Sequence, residues 1–371
     1  MPNTTNPLFN GNKLKLGSFA TNLATNGHIV APDAFEPTWA NTLQCARMAD
    51  EAGFEAIVPV ARWKGPIEDE ASHRAHRSLD PMIWAAGLAQ ATSYSSIFAT
   101  YHVYTIHPLV AAKQCAAVDH ISGGRFALNV VAGWSEEEFA MFGLNLPDHE
   151  DHYQRTEEWV HLLKRLWSEE HEFDFEGKFY QLRKALVRPQ PIQRPTIPLM
   201  NAGTSERGKR FAAEQVDIAF IALDPSDPEA CRRPIEAYRE VARALGREIQ
   251  VWGYGFSIQR DTMQEVRDYE DYLVAHCDER GLKRLMRRRL DRGTPSPAEI
   301  EVMKRRMATG MGGFPLSGVA EDIAERIIGV ANAGLDGLLL TWPNAVDGIP
   351  RFVRDVLPRL EAAGLRKPHR R

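Results

Sequence analysis

Short apolar runs alternate along the chain with longer segments in which apolar residues recur at helical spacing. This alternation is typical of parallel β/α units, in which a buried strand is followed by a helix that packs on it. Because a doubly wound sheet usually needs fewer units than this chain supplies, we predict an α/β protein that closes into a (β/α)8 TIM barrel. The predicted strands are Leu14–Thr21, Ala56–Pro59, Ile97–Tyr104, Phe126–Val131, Pro198–Ala202, Asp217–Leu223, Ile249–Ile258 and Gly337–Thr341.

Capping signals mark where helices begin. Asp80 supplies a side-chain cap, and the following Pro81 needs no amide partner at the first helical position. Alternation around Gly177 predicts a small hairpin over Phe173–Phe179. The predicted helices are Thr38–Ala52, Pro81–Gln90, Pro108–Ser122, Tyr153–Trp167, Ser205–Glu214, Asp227–Leu245, Ala320–Ala333 and Ile349–Ala363.

The rhythm of strands and helices breaks at Met263–Phe314, which is charged, helical in pattern and too long for a simple connection. We interpret this segment, near the C-terminal third, as an insertion over the top of a single barrel domain that spans residues 1–371. It is either a mobile lid or an extra pair of surface helices.

The formal net charge of −4 gives no global positive field that would hold nucleic acid or anionic lipid. A local basic stretch, Lys283–Arg292, is better interpreted as a solvated helix face than as a polyanion site. No apolar stretch is long enough to span a bilayer, and Met1–Lys13 lacks the features of a secretion signal. The four cysteines are scattered without paired spacing, which argues against disulfides. We therefore expect a soluble cytoplasmic protein whose partners are neither nucleic acids nor membranes.

In this fold the active-site residues lie where the strands end, on loops that lead into helices. The fifth such loop, Gly203-Thr204-Ser205, stands directly before a helix. Its backbone amides and hydroxyls can bind a phosphate group, although a plain helix cap has the same composition. The other candidates after predicted strands are Ala61, Arg62, Trp63, Thr100, Tyr101, His102, Asn129 and Trp134.

The sequence lacks the signatures of a self-sufficient catalytic centre. Close histidine pairs such as His73 and His76 form no HExxH pattern and have no carboxylate at a convincing third-ligand spacing, so we expect no metal. No GxSxG nucleophile motif occurs. If the protein is an enzyme, a bound organic cofactor is therefore expected to carry the chemistry.

Two neighbouring motifs stand out, HISGGRF at His120–Phe126 and NVVAGW at Asn129–Trp134. With them the chain resembles the bacterial luciferase-like flavin monooxygenase family, nearest to the branch of the pyrimidine and dimethylsulfone monooxygenases. The resemblance extends through His149–Trp159, Asn201–Gly208 and Gly334–Thr341. It implies a β/α barrel that accepts FMN reduced by a separate flavin reductase and reacts it with O2. It also implies a homo-oligomer.

The resemblance further implies which residues bind the cofactor. Those around the isoalloxazine ring are Ala61, Arg62, Asn129 and Glu138. Those around the phosphate are His152, Tyr153, Gly203, Thr204 and Ser205. It therefore favours the phosphate interpretation of the fifth loop over the plain helix cap.

Thr100 and Asn129 match the pair that cradles oxygen beside the flavin in the pyrimidine branch. A hydroxyl and an amide donor at that place would stabilise negative charge that develops on oxygen. Without the resemblance, the same two residues would be interpreted as an ordinary strand residue and a satisfied buried amide. His102 is a candidate general acid or base, because an unperturbed imidazole titrates near neutrality.

Large rings near the expected site bear on the substrate. Trp63, Tyr101 and Trp134 are candidate substrate contacts that would favour a flat heterocycle over a small sulfone, although such rings often serve the core. Our leading hypothesis is a two-component monooxygenase that uses reduced FMN and O2 to cleave a C–N bond in a small planar heterocycle. That substrate would be pyrimidine-like, or flavin-like as in riboflavin lyase. The alternatives are a sulfone or sulfonate monooxygenase of the same family, a deazaflavin-dependent dehydrogenase and a non-catalytic flavin-binding protein.

Overall fold

The computed structural model describes residues 6–24, 29–65, 70–133, 135–145, 149–203, 205–224, 226–279, 296–310 and 312–369. Within them, eight parallel strands close into a barrel. The barrel strands are β1 (Lys15–Phe19), β2 (Ala56–Val58), β3 (Ser96–His102), β4 (Phe126–Val131), β7 (Leu199–Asn201), β8 (Ile218–Ile221), β9 (Gln250–Gln259) and β11 (Gly337–Thr341). They pair in that order, and β11 returns to β1, so the prediction of a (β/α)8 barrel is confirmed.

Helices surround this barrel, and the helix that starts at Pro81 begins at the capping residue that the sequence indicates. Asp80 Oδ1 accepts the backbone amides of Met82 and Ile83 at 3.0 and 2.8 Å. The described helices are α1 (Trp39–Glu51), α2 (Pro81–Ala91), α3 (Pro108–Ile121), α4 (Glu136–Met141), α5 (His149–Ser168), α6 (Glu206–Gln215), α7 (Arg232–Ala244), α8 (Met263–Ala275), α9 (Pro297–Gly310), α10 (Ala320–Asn332), α11 (Ala345–Arg351) and α12 (Leu357–Ala362). A π-helical turn, Phe352–Val356, joins α11 to α12. In contrast to α2, the helices α5, α7 and α11 begin a few residues away from the predicted positions.

Three further elements complete the architecture. The expected hairpin is present as two antiparallel strands, β5 (Phe173–Glu176) and β6 (Gln181–Ala185). The helix α4 and the strand β10 (Phe314–Gly318) are absent from the sequence-based prediction. β10 escapes notice because it is short and contains Pro315, which lowers the expectation of a strand. It pairs with the second half of β9 beyond the point where β8 ends.

Two apolar layers hold the barrel together. The inner layer fills the barrel itself and is closed at the amino-terminal ends of the strands by Leu8. Its strand residues are Ala56, Val58, Phe98, Ala127, Met200, Ile218, Trp252 and Leu339. The outer layer lies between strands and helices, and it takes the alternate residues of the same strands, such as Ile97, Leu128 and Leu338. Because side chains alternate along a strand, these two layers establish which face of each strand points inward.

The segment Met263–Phe314 is described except for residues 280–295 and 311. Its helix α8 packs on the loop that follows β1, where the hydroxyls of Tyr269 and Tyr272 donate to the two carboxylate oxygens of Asp33 at 3.0 and 2.9 Å. That contact lies at the carboxyl ends of the strands. Whether the segment moves as a lid stays a prediction. In the described part of the chain, no helix combines the length and the apolar character needed to cross a bilayer.

Candidate active site

Thr100, His102 and Asn129 lie together on the inner face of the barrel. Phe98 and Ala127 belong to the inner apolar layer, so the residues one or two alternations further along β3 and β4 also point inward. The register of the two strands places Thr100 directly opposite Asn129. All three side chains are buried. The barrel therefore brings together the three residues that the sequence nominated for catalysis.

A short hydrogen-bond chain fixes the orientation of the Asn129 amide. The hydroxyl of Thr100 donates to the carbonyl oxygen of Pro59 at 2.7 Å. Since this uses the only hydroxyl hydrogen, Thr100 Oγ1 must accept, and Asn129 Nδ2 donates to it at 3.3 Å. Asn129 Oδ1 is consequently buried with no hydrogen-bond partner among the described residues. A buried acceptor of this kind suits a ligand that brings an N–H group.

Glu138 joins His102 to the loop after β2. One carboxylate oxygen of Glu138 accepts the backbone amides of Trp63 and Lys64 at 2.9 and 3.2 Å. The other, Oε2, lies 3.6 Å from His102 Nδ1. Glu138 itself is presented by α4, whose first turn is capped by Ser135 Oγ at 3.4 Å from the Glu138 amide. The carboxylate therefore acts as a clamp between α4 and this loop.

Burial sets the protonation of His102. It lowers the pKa of the imidazole below the ordinary 6.5, the negative charge of Glu138 raises it, and the positive charge of Arg62 lowers it further. His102 is therefore neutral at pH 7, with one ring nitrogen able to donate and the other able to accept. A neutral imidazole in this position is equipped to move a proton to or from a bound molecule.

Ala61 and Trp63 lie at the edge of this site. Together with Thr100 and His102 they line a side cavity of about 170 Å³ that reaches the start of α2. The Trp63 ring is 43% exposed and meets the edge of Phe142 at a centroid distance of 5.1 Å. Trp63 is thus a rim residue.

Tyr101 also lines this side cavity. It belongs to the outer apolar layer, on the face of β3 opposite to Thr100, and its hydroxyl is hydrogen-bonded to Gln114 of α3. The role of Tyr101 as a substrate contact stays a prediction. Trp134, the third candidate substrate contact, lies outside the described residues.

The fifth loop meets Tyr153 of α5. Ser205 caps α6, because its Oγ accepts the amide of Gly208 at 3.0 Å, and it lies 3.4 Å from the Tyr153 hydroxyl. A Cβ atom on Gly203 or Gly208 would stand 3.0 or 2.5 Å from that hydroxyl oxygen. The two glycines therefore allow the tyrosine to approach the backbone at the start of α6, where free amides favour an anion.

His152 and Thr204 are the two remaining candidates for the phosphate site. The ring of His152 packs against Tyr104 and Phe139 at centroid distances of 5.2 and 6.2 Å, and it neighbours Tyr153 at 6.3 Å. Thr204 lies outside the described residues. The structure thus brings Gly203, Ser205 and Tyr153 together and places His152 beside them.

Comparison with known proteins identifies the family of the chain. The family model of the luciferase-like monooxygenases matches residues 15–337. The chain belongs to the luciferase-like monooxygenase family. The family prediction from the two motifs is thereby confirmed.

Relatives of this monooxygenase act on different substrates. It is 28% identical to an FMNH2-dependent dimethylsulfone monooxygenase of Pseudomonas putida, over 84% of this chain and 85% of that protein. It is 26% identical to a pyrimidine monooxygenase of Allorhizobium ampelinum, over 94% of this chain and 96% of that protein. Among solved structures, riboflavin lyase, crystallised with modified FMN and riboflavin, superimposes with a TM-score of 0.85 at 22% identity, covering 96% and 93% of the two chains.

Sequence reasoning missed three aromatic residues of this monooxygenase. Phe19, Phe220 and Tyr254 are partly exposed and pack on the inner apolar layer. Their ring centroids are 5.4, 5.7 and 5.9 Å apart. They come from β1, β8 and β9, and no motif links them. Their alternation with inward residues of the same strands was the one signal that could have found them.

Proposed function

We propose that this monooxygenase uses reduced FMN and O2 to oxidise a small planar heterocycle and to cleave a C–N bond in it. It is an FMN-dependent enzyme, and a separate flavin reductase supplies the reduced cofactor. The two electrons of reduced FMN allow one oxygen atom to enter the substrate while the other leaves as water. The observation that carries the proposal is the buried Thr100–Asn129 pair, with its unpartnered acceptor, on the inner face of the barrel.

The residues present fit this cofactor at both of its ends. Asn129 Oδ1 is an acceptor among the inward residues, and the reduced isoalloxazine ring carries N–H donors that its oxidised form lacks. At the other end, the start of α6 offers backbone amides, Gly203 and the hydroxyls of Ser205 and Tyr153. Ala61 and Arg62 would border the ring on the side of the loop after β2, and His152 would flank the phosphate.

The polar residues then divide the chemistry between them. The Nδ2 group of Asn129 keeps a second hydrogen for negative charge that develops on oxygen, while Thr100 holds the amide in place. His102, neutral at pH 7, exchanges a proton with the substrate, and Glu138 stabilises the imidazolium while it exists. Trp63 would contact the substrate at the rim of the mouth.

A sulfone monooxygenase of the same family is the second candidate, because one of the relatives acts on dimethylsulfone. The pyrimidine monooxygenase and the riboflavin lyase favour a heterocycle instead. The two candidates differ in the bond that is cleaved, C–S against C–N. Product analysis therefore separates them.

The test uses purified protein, chemically reduced FMN and labelled oxygen, so that no reductase is needed. Anaerobic equilibrium dialysis first measures binding of reduced FMN. Addition of ¹⁸O2 with uracil, riboflavin or dimethylsulfone then reports incorporation by mass spectrometry. We expect one labelled oxygen atom in a product of a heterocycle. Failure of the wild-type protein to bind reduced FMN would reject the proposal, and incorporation only into the sulfone would replace the substrate class.

Assembly is a separate expectation. We propose a homo-oligomer, as the family resemblance implies, and light scattering behind a sizing column measures it directly. A monomeric mass at micromolar concentration would contradict this part alone.

A further inference from the structure

Phe19, Phe220 and Tyr254, here called the aromatic wall, lie across the barrel mouth from Thr100 and Asn129. In the closed order of strands, β8, β9, β11 and β1 are consecutive, and β2, β3, β4 and β7 make up the other half. The wall belongs wholly to the first half, whereas Thr100 and Asn129 belong to the second. The mouth therefore has one aromatic side and one hydrogen-bonding side.

The two sides lie at the same depth. Thr100 and Asn129 follow the inner-layer residues Phe98 and Ala127 by one inward step. Phe220 and Tyr254 follow Ile218 and Trp252, also members of the inner layer, by the same step. Phe19 joins them by direct ring contact, at 5.4 Å from Phe220 and 5.7 Å from Tyr254. The wall therefore lies level with Thr100 and Asn129, on the other side of the mouth.

The wall is aromatic and uncharged. Four strands, β1, β8, β9 and β11, form this side of the mouth. Their inward residues near the wall and just below it are Gly17, Phe19, Ile218, Phe220, Trp252, Tyr254, Leu339 and Thr341. None of these described residues carries a charge. A sulfonate or carboxylate placed here would lose its hydration without gaining a cationic partner, which is unfavourable. A flat neutral ring would instead gain stacking and edge contacts from three rings.

Backbone packing sets the plane of the third ring. A Cβ atom on Gly313 would stand 2.5 Å from Tyr254 Cε2, so the glycine backbone lies directly against the tyrosine. Gly313 immediately precedes β10, at the carboxyl end of the segment Met263–Phe314. A side chain at 313 must displace the ring, although no residue of the wall itself has changed.

We propose that the aromatic wall selects the substrate of this enzyme, admitting planar uncharged rings and disfavouring small anions. The inference rests on the proposed function and makes it more specific. It assigns the wall to substrate recognition and leaves the cofactor to Asn129 and the loop before α6. Phe19, Phe220 and Tyr254 are therefore specificity-determining residues.

The test measures ligand binding, so it does not depend on turnover. Calorimetric titrations give dissociation constants for alloxazine, uracil and methanesulfonate, with the protein either free or saturated with oxidised FMN. The variants are Phe220→Leu and Tyr254→Leu, which keep an apolar side chain, and Gly313→Ala, which only moves a ring. Phe9→Leu is the matched control, because Phe9 is 37% exposed and follows Leu8 at the opposite end of the barrel. Circular dichroism melting shows that each variant is folded.

We expect the wild-type protein to bind the ring compounds and not methanesulfonate. Each wall variant should weaken ring binding about tenfold, as expected for loss of stacking on an aromatic side chain, while FMN affinity stays within about twofold. Phe9→Leu should behave as wild type. The proposal would be overturned if both leucine variants bound the ring compounds as tightly as the wild type, or if the variants lost affinity for FMN and for the ring compounds equally. It would also be overturned if the wild-type protein bound methanesulfonate more tightly than the ring compounds, or bound neither ring compound. Reduced-FMN binding by the wild-type protein is measured separately, so failure of the wall and failure of the cofactor assignment are distinguishable.

Discussion

Asn129 donates its amide to Thr100 across two paired strands, and the hydroxyl of Thr100 is in turn committed to the carbonyl of Pro59. Thr100 therefore acts mainly through Asn129: it is a positioning residue, and the amide is the group that meets the ligand. This differs from the expectation that the hydroxyl itself points at oxygen. It also makes the pair open to a clean test.

Replacing Thr100 with Val removes the hydroxyl and leaves the amide of Asn129 without its anchor. We expect product formation per O2 consumed to fall about tenfold, with hydrogen peroxide released instead. An oxygen electrode and a peroxide assay, run side by side, measure this ratio. Thr100→Ser keeps the hydroxyl and should retain most of the coupling. Wild-type coupling in Thr100→Val would contradict the positioning role.

Neutralising Glu138 should change the titration of His102. The carboxylate raises the pKa of the imidazole against the larger effect of burial, so Glu138→Gln should lower that pKa further. NMR titration of the histidine ring measures the direction. Glu136→Gln is the control, since Glu136 is an exposed residue of the same helix. An unchanged pKa of His102 in Glu138→Gln would show that the charge of Glu138 does not reach the imidazole, and an upward shift would contradict the expected sign.

His102 should also make folding stability depend on pH. Its pKa is lowered in the folded state, so between that value and 6.5 the unfolded chain binds more protons. Above about pH 6.5, His102 is neutral in both states and does not reduce the free energy of unfolding. As the pH falls below that value, protonation of the unfolded chain decreases the free energy of unfolding. Urea unfolding at pH 7.5 and 5.5 should show a smaller loss in His102→Gln than in the wild type. An equal loss would assign the pH effect to other groups, such as His76 and His107, whose pKa values burial also lowers.

Ser205 should discriminate FMN from riboflavin. Ser205→Ala removes one hydroxyl from the fifth loop, the proposed phosphate site, so FMN should bind about tenfold more weakly while riboflavin is little affected. The variant also loses a helix cap worth about 1 kcal/mol. Thr262→Ala controls for that loss, because Thr262 caps α8 in the same way, in a capping box with Glu265. Equal weakening of both flavins by Ser205→Ala would argue against a phosphate contact there.

A buried ion pair ties the carboxyl-terminal segment to the base of the barrel. The guanidinium of Arg366 lies 3.2 and 3.3 Å from the two carboxylate oxygens of Glu55, and both side chains are almost fully buried. Arg366→Met removes the guanidinium from this buried carboxylate, which keeps only neutral donors such as the Leu16 amide, so we expect a loss of about 3 to 5 kcal/mol in urea unfolding. Arg165→Met, which breaks a partly exposed pair with Glu169, should cost less than about 1 kcal/mol. Similar losses in the two variants would contradict this difference in burial.

Much of the fold was predictable because it depends on local pattern. Apolar runs followed by capped helices such as the one at Asp80 and Pro81 identify β/α units, and their number predicts closure. β10 was missed because Pro315 interrupts the strand signal, and α4 because its six residues are too few for a clear period.

The site was only partly predictable, for reasons that lie in the barrel itself. Alternation alone does not say which residues of a strand point inward, so the sequence could not place Thr100 and Tyr101 on opposite faces of β3. The contact of Glu138 with the Trp63 amide joins residues 75 positions apart. The aromatic wall depends on closure of the ring, which brings β1 beside β11 and β9 beside β8.

The hydrogen bonds between Glu138 and the main chain have an evolutionary consequence. The carboxylate holds the peptide amides at positions 63 and 64, and every amino acid except proline supplies such an amide. Both side chains are exposed at the rim, so either can be exchanged while the loop keeps its path. Descendants of this enzyme can thus diversify what they admit at positions 63 and 64 without rebuilding the machinery underneath.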